Sequence, residues 1–138
     1  MYYDELAVGQ SASFEKTISE ADVYAFAGII GDLNPAHVNQ RYAEGTRFGT
    51  RIAHGMLSGS LFSTVFGTKL PGEGAIYLSQ SLVFTAPVLL GDTVKATVTV
   101  TEMREKGRVA FGCIATKQDG TVVVTGEAVL LPPRRPEA

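Results

Sequence analysis

The sequence predicts an α+β domain in which an antiparallel sheet wraps one enclosed helix. Three observations predict it. From about Gly55 to about Lys69, Met56, Leu57, Leu61, Phe62, Val65 and Phe66 occupy more than one helical face, with small residues Ser58, Gly59, Ser60, Ser63 and Thr64 between them. That is the pattern of a helix covered on most sides. From Ala75 onward the period changes to alternation, as in Val94, Ala96, Val98 and Val100 against Thr93, Lys95, Thr97 and Thr99. Helices come first and strands follow in consecutive hairpins, the order of an α+β layer rather than of alternating units.

In chain order, residues 11–17, SASFEKT, alternate loosely and read as a first strand. Ser19 followed by Asp22 has the form of a helix cap with an acid in the first turn. Val23, Phe26, Ala27 and Ile30 then recur at helical spacing, which predicts a helix from about Glu20 to about Ile30 stopped by Gly31. Asp32-Leu33-Asn34-Pro35-Ala36-His37 reads as a bent loop, since Pro35 donates no backbone hydrogen bond and biases Asn34 away from the helical region. Residues 38–53 read as a short helical turn and a loop, and Leu70-Pro71-Gly72 ends the enclosed helix. The runs 75–84, 92–103, 109–116 and 121–131 are rich in β-formers, and Glu105-Lys106-Gly107 and Lys117-Gln118-Asp119-Gly120 fit tight hairpins. The tail from Pro132 to Ala138 has no apolar period and is expected to be loose.

With 138 residues, the chain fits one domain, which takes roughly 100–200 residues, and residues 1–138 are read as one. A 45% hydrophobic and 19% charged composition with a net charge of -2 excludes a disordered chain and leaves no electrostatic footprint for nucleic acid. The single cysteine, Cys113, allows no intramolecular disulfide, and no Cys/His cluster has zinc-ligand spacing. MYYDELAVGQ has no basic region ahead of an apolar run, and no stretch reaches the roughly 20 apolar residues of a membrane span. A cytoplasmic location without membrane partners is the expectation.

Both histidines fall between Gly31 and Phe66. Asp32 and His37, five residues apart across a proline bend, can turn toward one point, and a carboxylate beside an imidazole is a kit for moving protons. The same residues also fit an Asx-type turn with a surface histidine. Gly55 opens the enclosed helix, where a bare N–H and the helix dipole suit developing negative charge, as an oxyanion stabiliser requires. Equally, glycine there fits close packing against the sheet. Ser63 has no GxSxG context, Cys113 reads as core, and Arg41, Arg47, Arg51 and Lys69 fit either contacts to the phosphates of a carrier or a solvated surface.

Four stretches, AFAGIIGDLNPAH, IAHGMLSGSLFS, KLPGEGAIYLSQSLVFTAPVLLGDTV and TGEAVL, together resemble the MaoC-like family of R-specific enoyl-CoA hydratases from about Val8 to about Leu131. The resemblance implies a hot-dog fold, a five-stranded antiparallel sheet around a central helix, paired into a homodimer. It implies a trans-2-enoyl-CoA thioester substrate, hydrated reversibly to the (R)-3-hydroxyacyl form without metal or redox cofactor. By the resemblance Asp32 and His37 are catalytic, the Gly55 N–H binds the thioester oxygen, Asn34 supports the loop, and His54 stands behind the catalytic pair. Met56, Phe62, Ser63 and Phe66 would line the acyl pocket, with Phe66 limiting the acyl chain to about four to six carbons. A hot-dog thioesterase, an acyl-carrier-protein dehydratase and a silent acyl-thioester-binding module are the rival readings.

Overall fold

The computed structural model describes residues 1–137. Strand β1 (Ser11–Thr17) leads into helix α1 (Glu20–Ile30), followed by the single-turn helix α2 (Pro35–Val38), α3 (Gln40–Glu44) and the long α4 (Gly55–Thr68). Strands β2 (Ile76–Gln80), β3 (Val83–Phe84), β4 (Thr93–Met103), β5 (Val109–Lys117) and β6 (Val122–Leu131) complete the chain. The strand order is β1-β4-β5-β6-β2, with β3 also on β6 and every pairing antiparallel.

Local chemistry accounts for the helix ends. Ser19 Oγ accepts from the Asp22 N–H at 3.1 Å, and Asp22 Oδ2 accepts from the Ser19 N–H at 3.0 Å, a reciprocal cap. Gly31, at φ 82°, closes α1 in the left-handed region that glycine enters without steric cost. Asn34 caps α2 through its side chain, and Pro35 takes the first helical position, where its missing N–H costs nothing. His37 therefore stands on a helical turn rather than on the open loop that the sequence suggested.

The sheet curls around α4, which lies mainly against β4 and also touches β1, β5 and β6. Leu57, Leu61, Phe62, Val65 and Phe66 are all buried, each such side chain contributing roughly 1.5–3 kcal/mol. On β4, Val94, Ala96, Val98 and Val100 face this core, as their alternation requires.

The sheet has six strands where five were expected, because the run 75–84 breaks in two. The pairing of β2 on β6 slips between Tyr77 and Ser79, and Ser81 then crosses over Gly126, where any Cβ would collide with the Ser81 carbonyl. Leu82 leaves the ladder to fill the space beside Gly59; a Cβ on Gly59 would sit 2.8 Å from Leu82 Cδ1. Phe84, on β3, lays its ring over Gly55, where a Cβ would again come within 2.8 Å. Two glycines one helical turn apart thus receive alternate residues of one extended segment.

Two further segments are tied down. Asp92 is buried: its carboxylate accepts from the Leu89 N–H and Gln118 Nε2, both at 2.8 Å, and lies 3.0 Å from Lys117 Nζ. Burial pushes the Asp92 carboxyl up, but the bonds from Gln118, Leu89 and Lys117 outweigh it and hold the group below its ordinary 3.8. The tail, expected to be loose, is anchored by Arg135, 2.9 Å from Asp4 and 3.5 Å from Glu5, with Pro133 packed against Gly74. Residue 138 of that tail lies outside the described residues.

Candidate active site

A cleft of about 450 Å³ opens where the start of α4 meets the α1–α2 loop, a volume in the range of small-molecule sites. Asp32, His37, His54 and Gly55 border it on one side; Ala86, Val88, Val123 and Val124 form an apolar wall on the other.

His37 is buried, and Nδ1 lies 2.7 Å from the Ile52 carbonyl. A carbonyl only accepts, so Nδ1 carries a proton, and in the neutral form of the ring Nε2 is then an open acceptor. Ile52 is itself held by its N–H to the Ala36 carbonyl at 3.1 Å, which makes a strap across α2. Nε2 faces Asp32 Oδ2 at 3.8 Å, too far for a direct hydrogen bond and right for one water between them. Asp32 Oδ1 accepts from the Asn34 N–H at 3.1 Å, and Asn34 Oδ1 from the Ala36 N–H at 3.1 Å. The Asx turn and the carboxylate–imidazole pair, alternatives in the sequence, coexist on different oxygens of one side chain.

His54 is 3% exposed, and its Nε2 donates to the Asp32 backbone carbonyl at 2.9 Å. Its ring stacks on His37 with centroids 3.8 Å apart and packs edge-on to Phe26 at 5.2 Å. Asp32, His37 and His54 offer ligand atoms within 4.8 Å of one another, so a metal has to be considered. Each ring, however, has only one nitrogen to offer. One nitrogen of each ring is committed to a carbonyl, and stacked rings hold their remaining lone pairs in nearly parallel planes.

Gly55 begins α4, and His54 makes no side-chain cap there. Among the described residues nothing accepts from the Gly55 N–H, which leaves a bare donor at the positive end of a 14-residue helix beside the Asp32–His37 pair. Gly55 also has no room for a side chain under Phe84, so the close-packing reading and the open-donor reading hold together.

Four residues expected in an acyl pocket separate. Met56 borders this cleft and also a second, apolar groove, where Ser63 lies with Phe26, Tyr77, Leu78 and Leu82. Phe62 and Phe66, also expected in the pocket, border neither. One turn apart, they point into the sheet, and Phe66 packs edge-on to Phe111 at 4.9 Å and Tyr77 at 5.2 Å.

The candidate cations separate as well. Arg51 is held by Glu20 at 3.0 Å and by the Tyr24 hydroxyl and Gln40; Lys69 donates to the Ser13 carbonyl at 2.5 Å. Arg47 lines the cleft with its guanidinium 4.9 Å from the Phe48 ring centroid, and it makes no ion pair among the described residues. Sequence reasoning passed over Ser58, Phe48 and Phe84 at the cleft. For Ser58 a signal existed: it lies four residues, one helical turn, after His54.

A family model described as a MaoC like domain matches residues 5–121. An "(R)-specific enoyl-CoA hydratase" of Rhodospirillum rubrum is 57% identical over 97% of this chain and 93% of its own length. A "3-hydroxybutyryl-CoA dehydratase" of Methylorubrum extorquens is 45% identical over 100% of this chain and 88% of its own. Among solved structures, the unliganded R-hydratase PhaJ1 of Pseudomonas aeruginosa superposes with a TM-score of 0.94 at 47% identity, covering 97% of this chain and 86% of that one. The A. caviae (R)-hydratase involved in PHA biosynthesis gives 0.91 at 46% identity, covering 93% and 98%.

Proposed function

Because the chain belongs to the MaoC-like domain family, we propose that it is an (R)-specific enoyl-CoA hydratase, a hydro-lyase adding water reversibly to trans-2-enoyl-CoA. One observation carries the reading: two open acceptors, Asp32 Oδ2 and His37 Nε2, face each other at 3.8 Å beside a bare helix N-terminal donor.

A water about 2.8 Å from each acceptor bridges that span. It donates one hydrogen to the carboxylate and one to the imidazole, and its oxygen lone pair turns toward the substrate. As that oxygen bonds to C3, the C2=C3 electron pair moves into the thioester and charge collects on its oxygen. The Gly55 N–H and the α4 dipole stabilise that charge. Asp32 takes one water proton and returns it to C2 as the enolate collapses; the other stays as the new hydroxyl. Both additions come from one side, which makes the hydration syn. No step calls for a redox or metal cofactor.

His37 orients the water, and its Nδ1–H to Ile52 keeps Nε2 facing outward. Asn34 fixes the bend, and His54 holds the Asp32 backbone. The acyl chain lies along Met56, Val88, Val123 and Val124. Arg47 stands at the cleft to meet the phosphates of coenzyme A.

The protein works as a homodimer. Strand β2 is a sheet edge with Ile76, Tyr77 and Leu78 between 39% and 54% exposed, a surface that a second copy would cover. Light scattering of the purified protein reads its mass directly.

The activity test follows the ultraviolet absorbance of crotonyl-CoA, with a thiol assay and an S-specific 3-hydroxyacyl-CoA dehydrogenase in parallel. Loss of enoyl absorbance without free thiol and without dehydrogenase signal is the expected result. Thiol release would make the protein a thioesterase, and a dehydrogenase signal would contradict the R assignment.

A further inference from the structure

Among the described residues, two buried side-chain polar atoms have no hydrogen-bond partner, His54 Nδ1 and Ser58 Oγ. Both residues border the cleft. Unpaired buried polar groups cost about 1–3 kcal/mol each, so two in one place call for an explanation.

Their chemistry is complementary. The Asp32 carbonyl can only accept, so His54 carries its proton on Nε2 and presents a lone pair at Nδ1. Ser58 has a hydroxyl hydrogen with nowhere to go. His54 occupies the position just ahead of α4, and Ser58 follows four residues later, one helical turn on. Ser58 is 1% exposed and neither orphan atom is open to bulk solvent.

We infer that the Ser58 hydroxyl donates to His54 Nδ1 and so fixes the tautomer that holds Asp32, which makes Ser58 a positioning residue for the hydration. With the Ser58 side chain and the His54 ring turned toward each other, the bond completes a chain from Ser58 through His54 to the Asp32 carbonyl. Without the hydroxyl, only the Asp32 carbonyl favours Nε2–H, and Nδ1 is left a buried acceptor with no donor, so the balance shifts toward Nδ1–H. In the Nδ1–H form the Asp32 carbonyl loses its donor, the loop loses its anchor, and the 3.8 Å span between Asp32 and His37 drifts. The kinetic consequence rests on the proposed hydratase activity; the bond itself does not.

The chain has two histidines, so nitrogen NMR of the ring resonances resolves both, with His37→Gln assigning them. In the wild type, His54 should show its proton on Nε2 and Nδ1 as a hydrogen-bonded acceptor. In Ser58→Ala, the Nδ1 resonance should move to that of an unbonded acceptor or of mixed tautomers. Turnover of crotonyl-CoA should fall roughly tenfold in kcat with KM little changed, the effect of misplacing a catalytic pair. Ser58→Cys, close in volume with a weaker donor, should fall between the two and serves if the alanine variant does not fold. A wild-type proton on Nδ1, or unchanged His54 resonances in the variants, overturns the bond. Moved resonances with unchanged kcat overturn the positioning role. A wild type inactive on every enoyl thioester defeats the hydratase reading instead and leaves the nitrogen result standing.

Discussion

Replacing Asp32 with Asn exchanges one oxygen for an NH2 and leaves the shape alone. The Asn can keep its Oδ1 on the Asn34 N–H, now 3.1 Å away, and the backbone carbonyl still accepts from His54. The change falls on the atom facing His37 Nε2 at 3.8 Å. There an acceptor becomes a donor, so the water loses one of two acceptors, and no group remains to take its proton. General base catalysis contributes about 10²–10⁴-fold; a thousandfold fall in kcat corresponds to about 4 kcal/mol. The Asp32 side chain is 48% exposed, so stability should change by no more than about 0.5 kcal/mol. Initial rates of crotonyl-CoA hydration, with thermal melts of both proteins, check it. A variant within tenfold of wild type, with an unchanged melt, would refute the role given to Asp32.

Three other outcomes follow from the packing and the charges. Arg47→Ala should raise KM for crotonyl-CoA several-fold and leave KM for the crotonyl thioester of N-acetylcysteamine, which has no phosphates, unchanged; equal effects on both would remove Arg47 from phosphate recognition. Phe66→Leu forfeits edge-on contacts to Phe111 and Tyr77 and should cost about 1–3 kcal/mol in denaturant melts. Since Phe66 borders neither groove, its chain-length profile should match the wild type, and a gain on longer enoyl chains would return Phe66 to the pocket. Asp92 has a folded value below 3.8, so its contribution is fully present above the unfolded value and is lost as pH falls through the lower folded one. The gap in melting temperature between wild type and Asp92→Asn should therefore be constant above about pH 4 and close below it; a gap independent of pH down to 2 would exclude the linkage.

The sequence by itself determined whatever neighbouring residues decide among themselves. The Ser19–Asp22 cap, the Gly31 stop and the Lys117–Gly120 turn all close over bonds spanning three or four residues, so their signals are contiguous. The enclosure of α4 was legible because its apolar and small residues fill every face, and the inner face of β4 because its side chains alternate. The motifs in order also marked Asp32, His37 and Gly55 as belonging to one site. Only the tertiary structure decided how that site is wired. The His37 tautomer depends on a carbonyl 15 residues away, and the Asp32 backbone on a ring 22 residues away. The strand break at Ser81 depends on contacts with Glu127 and its glycine neighbour, 46 residues on. Phe66 and Ser58 show the same limit from opposite sides. One is an aromatic that looked like a pocket wall and packs into the sheet; the other is a serine in an apolar helix that turned out to face the cleft. Which way a helix turns its faces is set by what the rest of the chain lays against them, and that is not written in its own spacing.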